Sequence, residues 1–298
     1  MLDYNKVYNM DAIEGMKQIA DESVDCVLVD PPYNIGKDFG NSRYKSEINE
    51  YVSWCKLWID EATRILKPTG TIYIYGFSEI LAHISVNLEL DHRWLIWHYT
   101  NKTVPSLNFW QRSHESILCA WKSKDNRIFN RDLVREPYTE NYIKGYGKGD
   151  KKRPKTEGRF GNKKETTYKV DKRGALPRDV LKHSALAGGA GRKERVFYCR
   201  KCQNAYDPSE LKNHKDCEYV VDGKKQENIL KHPTQKPLEL TTRLFNACLD
   251  NEAKVVVPFV GSGSEVKVAK ELGHDFIGFE LNPEYFKLIE HFLQSEIY

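Results

Sequence analysis

The chain has 298 residues, 40% of them hydrophobic and 12% aromatic, enough to build a real core in one large domain or two small ones. No apolar run approaches the roughly 20 residues that cross a bilayer. Met1-Leu2-Asp3-Tyr4 opens without the charged-then-apolar pattern of a secretory signal, so a soluble, cytoplasmic protein with no membrane partner is expected. The net charge is only +4, but residues 144–173 hold twelve Lys/Arg against four Asp/Glu, a local +8 that leaves the remainder at −4. From charge alone a solvated loop accounts for this run; neutralising a polyanion becomes the reading once other residues point to nucleic acid.

In chain order, Val24–Val29 reads as a buried strand ending at Asp30. Ile48, Tyr51, Val52, Cys55, Trp58, Ile59, Ala62, Ile65 and Leu66 recur at three- and four-residue steps. That spacing predicts a long amphipathic helix, closed by Pro68 and Gly70. A strand over 71–75 follows, Ser78 is the expected cap of the next helix, and strands are expected over 94–99 and 115–121. Residues 123–230 are polar, rich in Lys, Arg and Gly, and lack long apolar periodicity, so loops and small elements are expected there. From Pro237 the alternation resumes: a helix over 238–249, a strand over 254–258, a helix after Gly263, a strand over 276–279 and a last helix from Pro283. The expected fold class is α/β, a mostly parallel Rossmann-like sheet built jointly from residues 1–122 and 231–298, with 123–230 inserted between them.

Two strand ends carry the candidate chemistry. Pro258, Phe259, Gly261, Ser262 and Gly263 lie where a strand gives way to a helix, and glycines there let the backbone turn sharply beside a ligand. The next strand ends at Glu280, followed by Asn282; a carboxylate at that place can accept from both hydroxyls of a ribose. There is no GxxxxGK[ST] phosphate loop and no full GxGxxG, which favours a nucleoside cofactor without a pyrophosphate, such as S-adenosylmethionine.

Asp30-Pro31-Pro32-Tyr33 stands at the carboxyl end of the first buried strand. The two prolines remove two backbone donors and leave carbonyls free to accept; a rigid strand-to-loop turn is the alternative. An exocyclic amine of adenine is a poor nucleophile because its lone pair is delocalised into the ring. A carboxylate and a carbonyl, each accepting one N–H, would favour a tetrahedral nitrogen, and Asp30 with the Pro31 carbonyl could supply them. Tyr33 offers a ring on which an extruded base could stack.

Together these segments resemble the amino-methylating DNA methyltransferases, specifically the permuted β class of the Asp-Pro-Pro-Tyr, N6-adenine type. The order Asp30-Pro31-Pro32-Tyr33, then His232-Pro233-Thr234-Gln235-Lys236-Pro237, then Pro258-Phe259-Val260-Gly261-Ser262-Gly263 is that class's order of motifs. The resemblance covers residues ~5–122 and ~230–295. It implies that residues 1–122 form a catalytic half, 123–230 a target-recognition insertion and 231–298 a cofactor half. It also implies that His232, Thr234, Lys236 and Pro237 hold the methionine end of S-adenosylmethionine, Asp11 its adenine and Glu280 its ribose. One departure is Val257, where the family has Asp before Pro-Phe; another is Ser264 for the usual Thr. Double-stranded DNA is the implied partner, with a homodimer and a cognate restriction endonuclease as further candidates.

Cys26, Cys55, Cys119 and Cys248 are expected as reduced core residues. Cys199, Cys202, His214 and Cys217 have the paired spacing of a tetrahedral structural zinc, the alternative being three reduced thiols and a surface histidine. Lys151, Lys152, Arg153, Lys163 and Lys164 of the basic run are candidates for phosphate contact, and Lys102, Asn108 and Trp110 for the target nucleotide, burial of Trp110 being the alternative. Other readings stay open: an N4-cytosine DNA methyltransferase, an RNA amine methyltransferase, or an inactive methyltransferase-fold zinc protein that binds DNA.

Overall fold

The computed structural model describes residues 2–34, 46–101, 105–146, 151–153, 166–168, 170–186, 194–206, 210, 220–221, 224–225 and 229–294. It divides into two compact units, one of residues 1–129 with 179–298 and one of residues 130–178. The first begins β1 (Lys6–Tyr8), α1 (Ala12–Met16), β2 (Val24–Val29), α2 (Ile48–Ile65), β3 (Leu66–Gly76), α3 (Ser78–Ser85), β4 (Asp91–Tyr99) and β5 (His114–Trp121). The second holds α4 (Glu140–Tyr146), β6 (Lys151–Arg153) and β7 (Thr166–Tyr168). The first unit then resumes with β8 (Val180–His183), β9 (Phe197–Cys199), β10 (Asn204–Tyr206), β11 (Val220–Val221), β12 (Lys224–Lys225) and β13 (Ile229–Lys231). It closes with α5 (Leu238–Cys248), β14 (Lys254–Val257), α6 (Ser264–Glu271), β15 (Asp275–Phe279) and α7 (Pro283–Gln294).

Eight strands of the larger unit form one sheet in the order β1-β15-β14-β2-β3-β5-β4-β8, and every neighbouring pair is parallel except those involving β5. A parallel sheet is stable only with both faces covered, so its central strands are apolar on both sides. β2 shows this residue by residue. Val27 and Val29 pack with Trp58, Ala62 and Ile65 of α2 on one face. Cys26 and Leu28 pack with Leu244 and Phe245 of α5 on the other. The buried residues of α2, Tyr51, Cys55, Trp58, Ala62 and Ile65, are the expected amphipathic stripe. Asp25, the one acid in β2, is tied to Lys67 Nζ at 2.7 Å and accepts from Lys254 N at 2.9 Å.

Three local expectations are corrected. The helix ends at Ile65 without a loop; Leu66 already pairs with Val24, and a register shift before the Cys26–Thr71 pair accommodates Pro68, which has no N–H to donate to a regular ladder. Phe77, in an extended conformation, takes the cap position before α3, while the Ser78 hydroxyl lies 2.8 Å from that of Ser116. β8 comes from the stretch expected to hold only loops and small elements, yet extends the main sheet by pairing with β4. Among the described residues no helix is long and apolar enough to cross a membrane.

In the smaller unit Glu136 and Ala175 exchange both backbone hydrogen bonds, at 3.0 and 2.7 Å. Ion pairs flank this bridge: Arg135–Asp171 at 2.8 Å, Arg173–Asp132 at 2.7 Å and Arg178–Glu136 at 2.6 Å.

Candidate active site

β14 and β2 lie side by side and parallel, yet the sheet continues from β14 toward β15 and β1 and from β2 toward β3. Their carboxyl ends therefore flank a topological switch point, where open α/β sheets form a ligand crevice. Asp30-Pro31-Pro32-Tyr33 leaves β2 into this crevice and the Pro258–Gly263 turn leaves β14 into it; residues of both segments line one cavity.

The glycine turn needs its glycines. Gly261 has φ +57°, and a Cβ there would lie 2.8 Å from His232 Nε2; Gly263, with φ +91°, precedes α6. The Gly261 N–H donates to Glu280 Oε2 at 2.9 Å and the Asn282 N–H to Glu280 Oε1 at 2.7 Å. Glu280 is thereby fixed at the cavity wall, and burial pushes its carboxyl up to about 7. Asp11, His232, Thr234, Pro258 and Phe259 share that wall. Asp11 also caps α1, accepting from the backbone of Ile13 and Glu14. Burial, helped by the neighbouring Lys236 charge, lowers His232 to about 3, so its ring is neutral. Sequence reasoning missed Trp54, Phe279 and Tyr285, which also line the cavity. Their aromatic character is indistinguishable in sequence from ordinary core packing, and only the approach of α2, α7 and the end of β15 to the crevice singles them out.

Behind the cavity lies a buried charged cluster. The Lys236 side chain is 2% exposed and its Nζ lies 2.7 Å from Asp30 Oδ2 and 3.7 Å from Glu115 Oε2. Tyr33 Oη lies 2.7 Å from Asp30 Oδ1 and 2.9 Å from Glu115 Oε2, and the Tyr99 hydroxyl donates to Glu115 Oε1 at 2.6 Å. The Tyr51 hydroxyl donates to the Pro32 carbonyl at 2.8 Å. Burial opposes the charge on Lys236, but the Asp30 and Glu115 carboxylates outweigh it and raise its pKa. Burial also raises the Asp30 carboxyl, more than Lys236 and Tyr33 lower it. Tyr33 itself is buried, its ring edge-on to Phe77 at 5.2 Å between centroids.

Glu265, 3% exposed on α6, faces the same cluster; burial, reinforced by Asp30, pushes its carboxyl up to about 8. A carboxyl whose folded pKa lies above the unfolded value stabilises the fold at low pH and loses that contribution between about 4.5 and about 8. The Glu265→Gln variant should therefore gain stability relative to the parent across that window, by at most about 1.4 kcal/mol per pH unit, and level off above it. Denaturant melts of both proteins across this range check it; a difference independent of pH would contradict it.

Lys236, Pro237, Ser262, Gly263 and Asn282 do not line the cavity. Lys236 sits beneath Asp30, Pro237 caps α5, Ser262 bonds Ser264, Gly263 opens α6 and Asn282 caps α7. Val257, where the resembled family carries Asp, is fully buried among apolar side chains. Trp110 is 88% exposed, so the burial alternative is set aside, and Asn108 is exposed as well. Lys151, Lys152 and Arg153 form β6, paired with β7. Lys102, Lys163 and Lys164 lie outside the described residues. So do His214 and Cys217; Cys199 ends β9 and Cys202 lies in the turn to β10. No group of three or more His, Cys, Asp or Glu that could hold a metal occurs among the described residues.

The family model of the N6/N4 DNA methylases matches residues 24–291, and the chain belongs to that family. It is 30% identical over 291 residues to the type II methyltransferase M.HpaI of Haemophilus parainfluenzae, covering 96% of this chain and 73% of the relative. It is 28% identical over 282 residues to the DNA adenine methyltransferase YhdJ of Escherichia coli (strain K12), covering 93% of this chain and 79% of that one. Its fold is similar to that of the cytosine-N4-specific PvuII DNA methyltransferase, with TM-score 0.63 at 17% identity over 100% of this chain and 89% of the other.

Proposed function

We propose that the chain transfers the methyl group of S-adenosylmethionine to the N6 amine of adenine in double-stranded DNA, as a permuted β-class enzyme. The observation that carries this reading is that the Asp30-Pro31-Pro32-Tyr33 segment and the Glu280 carboxylate line one crevice at the switch point. The crevice suits the cofactor: the Gly261 backbone leaves room where a Cβ would strike His232, and each Glu280 oxygen that accepts a backbone N–H keeps lone-pair capacity for a ribose hydroxyl. When bound, the cofactor supplies an electrophilic methyl on its sulfonium. Asp30, held by Lys236, accepts one N–H of the target amine. Tyr51 already engages the Pro32 carbonyl, and the Pro31 carbonyl takes the second N–H. Proximity and alignment supply most of the acceleration.

Adenine is favoured by the Asp in Asp-Pro-Pro-Tyr and by the likeness to an adenine enzyme; cytosine N4 is the second reading, favoured by the PvuII likeness. Residues 123–230 carry target recognition in this proposal, with exposed Asn108 and Trp110 near the nucleotide and the basic run on phosphates. A cytoplasmic location, a homodimer and a cognate restriction endonuclease belong to the same reading. Incubation with S-adenosylmethionine and unmethylated DNA, followed by mass spectrometry of the nucleosides, should yield N6-methyladenine. N4-methylcytosine instead would change the target base, and no methylated base on diverse DNA would defeat the reading.

A structural zinc at Cys199, Cys202, His214 and Cys217 is a further proposal, supported by the spacing and by the placement of Cys199 and Cys202 at one hairpin turn. Elemental analysis should find about one zinc per chain; none would return the cysteines to ordinary thiols.

A further inference from the structure

Tyr33 Oη is within hydrogen-bond distance of two carboxylate oxygens, Asp30 Oδ1 at 2.7 Å and Glu115 Oε2 at 2.9 Å. A phenol has one hydrogen, so it satisfies one of these contacts and leaves the other as two acceptors facing each other. One added proton between the carboxyl groups resolves the conflict, and its place follows from the surroundings. Lys236 Nζ is 2.7 Å from Asp30 and 3.7 Å from Glu115, so the negative charge belongs on Asp30 and the proton on Glu115. Glu115 Oε2 then donates to Tyr33, Tyr33 donates to Asp30 Oδ1, Lys236 donates to Asp30 Oδ2, and Glu115 Oε1 accepts from Tyr99 at 2.6 Å. Each of these contacts then has one donor and one acceptor, as a buried polar network requires.

We propose that Glu115 is a positioning residue for the methyl transfer, holding the outer end of a proton chain that runs from Asp30 through the Tyr33 hydroxyl. This rests on the amine-methylating reading of the site. As the amine gains its methyl carbon it sheds one N–H proton; the bonding pair stays on nitrogen and the proton forms an O–H bond with an Asp30 lone pair. Glu115, whose side chain is 13% exposed against 2% for Lys236, releases its own proton toward solvent. With Glu115 ionised, the Tyr33 hydroxyl turns its hydrogen from Asp30 Oδ1 to Glu115 Oε2 and passes it there, and the Asp30 Oδ1 hydrogen crosses to Tyr33, which loses one O–H bond as it gains another. One proton has entered at Asp30 and one has left at Glu115, and Asp30 is again a carboxylate. The groups facing the chain are Lys236 before α5, Glu265 on α6, Tyr75 on β3, Tyr99 on β4 and Arg112, itself paired with Glu79. Sequence gave Glu115 no role beyond a strand position; the contact with Tyr33, 82 residues away, reveals it.

The Glu115→Gln variant is a sharp test, because an amide reproduces the neutral acid's bonds, N–H to Tyr33 and C=O from Tyr99, and cannot pass a proton. Infrared spectra of the protein alone, without cofactor or DNA, should show a protonated-carboxyl band at neutral pH. Glu115→Gln should remove one component of that band, distinct from the components that Glu265→Gln and Glu280→Gln remove. With S-adenosylmethionine and DNA, Glu115→Gln should bind both as the parent does and methylate about 10- to 100-fold more slowly in a single turnover. Parent-like turnover in Glu115→Gln, or a spectrum in which no protonated carboxyl depends on Glu115, overturns the chain. A rate loss matched by weakened binding would mark Glu115 as merely structural and overturn it too. A parent protein that methylates nothing would instead defeat the assigned activity, while the spectrum still decides whether the proton is there.

Discussion

Asp30→Asn is expected to slow methyl transfer by about 1000-fold or more while leaving S-adenosylmethionine binding within a few-fold of the parent. The asparagine keeps the shape of the side chain and loses the charge that turns the amine toward a tetrahedral nitrogen. In the proposed binding mode the cofactor's polar anchors are Glu280 and the Gly261 turn, so binding should be spared. A structural effect accompanies the kinetic one, because Asp30 is the nearest counter-charge of a lysine that is 2% exposed. Breaking a buried ion pair costs about 3–5 kcal/mol, and the Asp30→Asn variant should lose an amount in that range. Single-turnover kinetics, cofactor calorimetry and a denaturant melt on the same preparation separate the three effects. Near-parent turnover would remove Asp30 from the chemistry.

Lys236→Met should have the largest effect on stability, about 3–5 kcal/mol near pH 8. Methionine matches the volume of the side chain but leaves Asp30, and Glu265 as it ionises near pH 8, with no nearby cation. The sign with pH follows from linkage. Without the ammonium the Asp30 and Glu265 carboxyls bind protons more tightly in the folded chain than in the unfolded one, so the loss shrinks as pH falls and grows as it rises. Melts at pH 5.5 and pH 8 check this. An equal loss at both would mean that the lysine contributes by packing alone.

The alternating strands and helices were legible because a sheet covered on both faces demands apolar runs such as Val24–Val29, and α2 shows its buried stripe at helical spacing. β8 was not legible. Its four residues alternate between exposed and buried inside a polar stretch, and only the open edge of β4 gives them a place. The crevice was half legible. Asp30, Gly261 and Glu280 stand at strand ends, where ordered motifs mark them. The roles of Glu115 and Glu265 depend on contacts between distant segments, and nothing in their neighbours distinguishes a buried acid from a surface one. Lys236 was recognised by its motif and assigned to the cofactor; its ion pair with Asp30, 206 residues away, was not legible.

The paired backbone bonds between Glu136 and Ala175 make the chain enter and leave a long excursion through a single closed gate. Apart from Asp171 and Arg173, whose ion pairs brace the gate, a change in the length of the excursion costs mainly loop closure, which rises by only about 0.6 kcal/mol for each doubling of length. The register of the strands outside the gate is indifferent to such changes. A lineage carrying this architecture can thus diversify one surface through insertion and recombination while its central sheet is conserved, much as an interchangeable tool is refitted to a fixed handle.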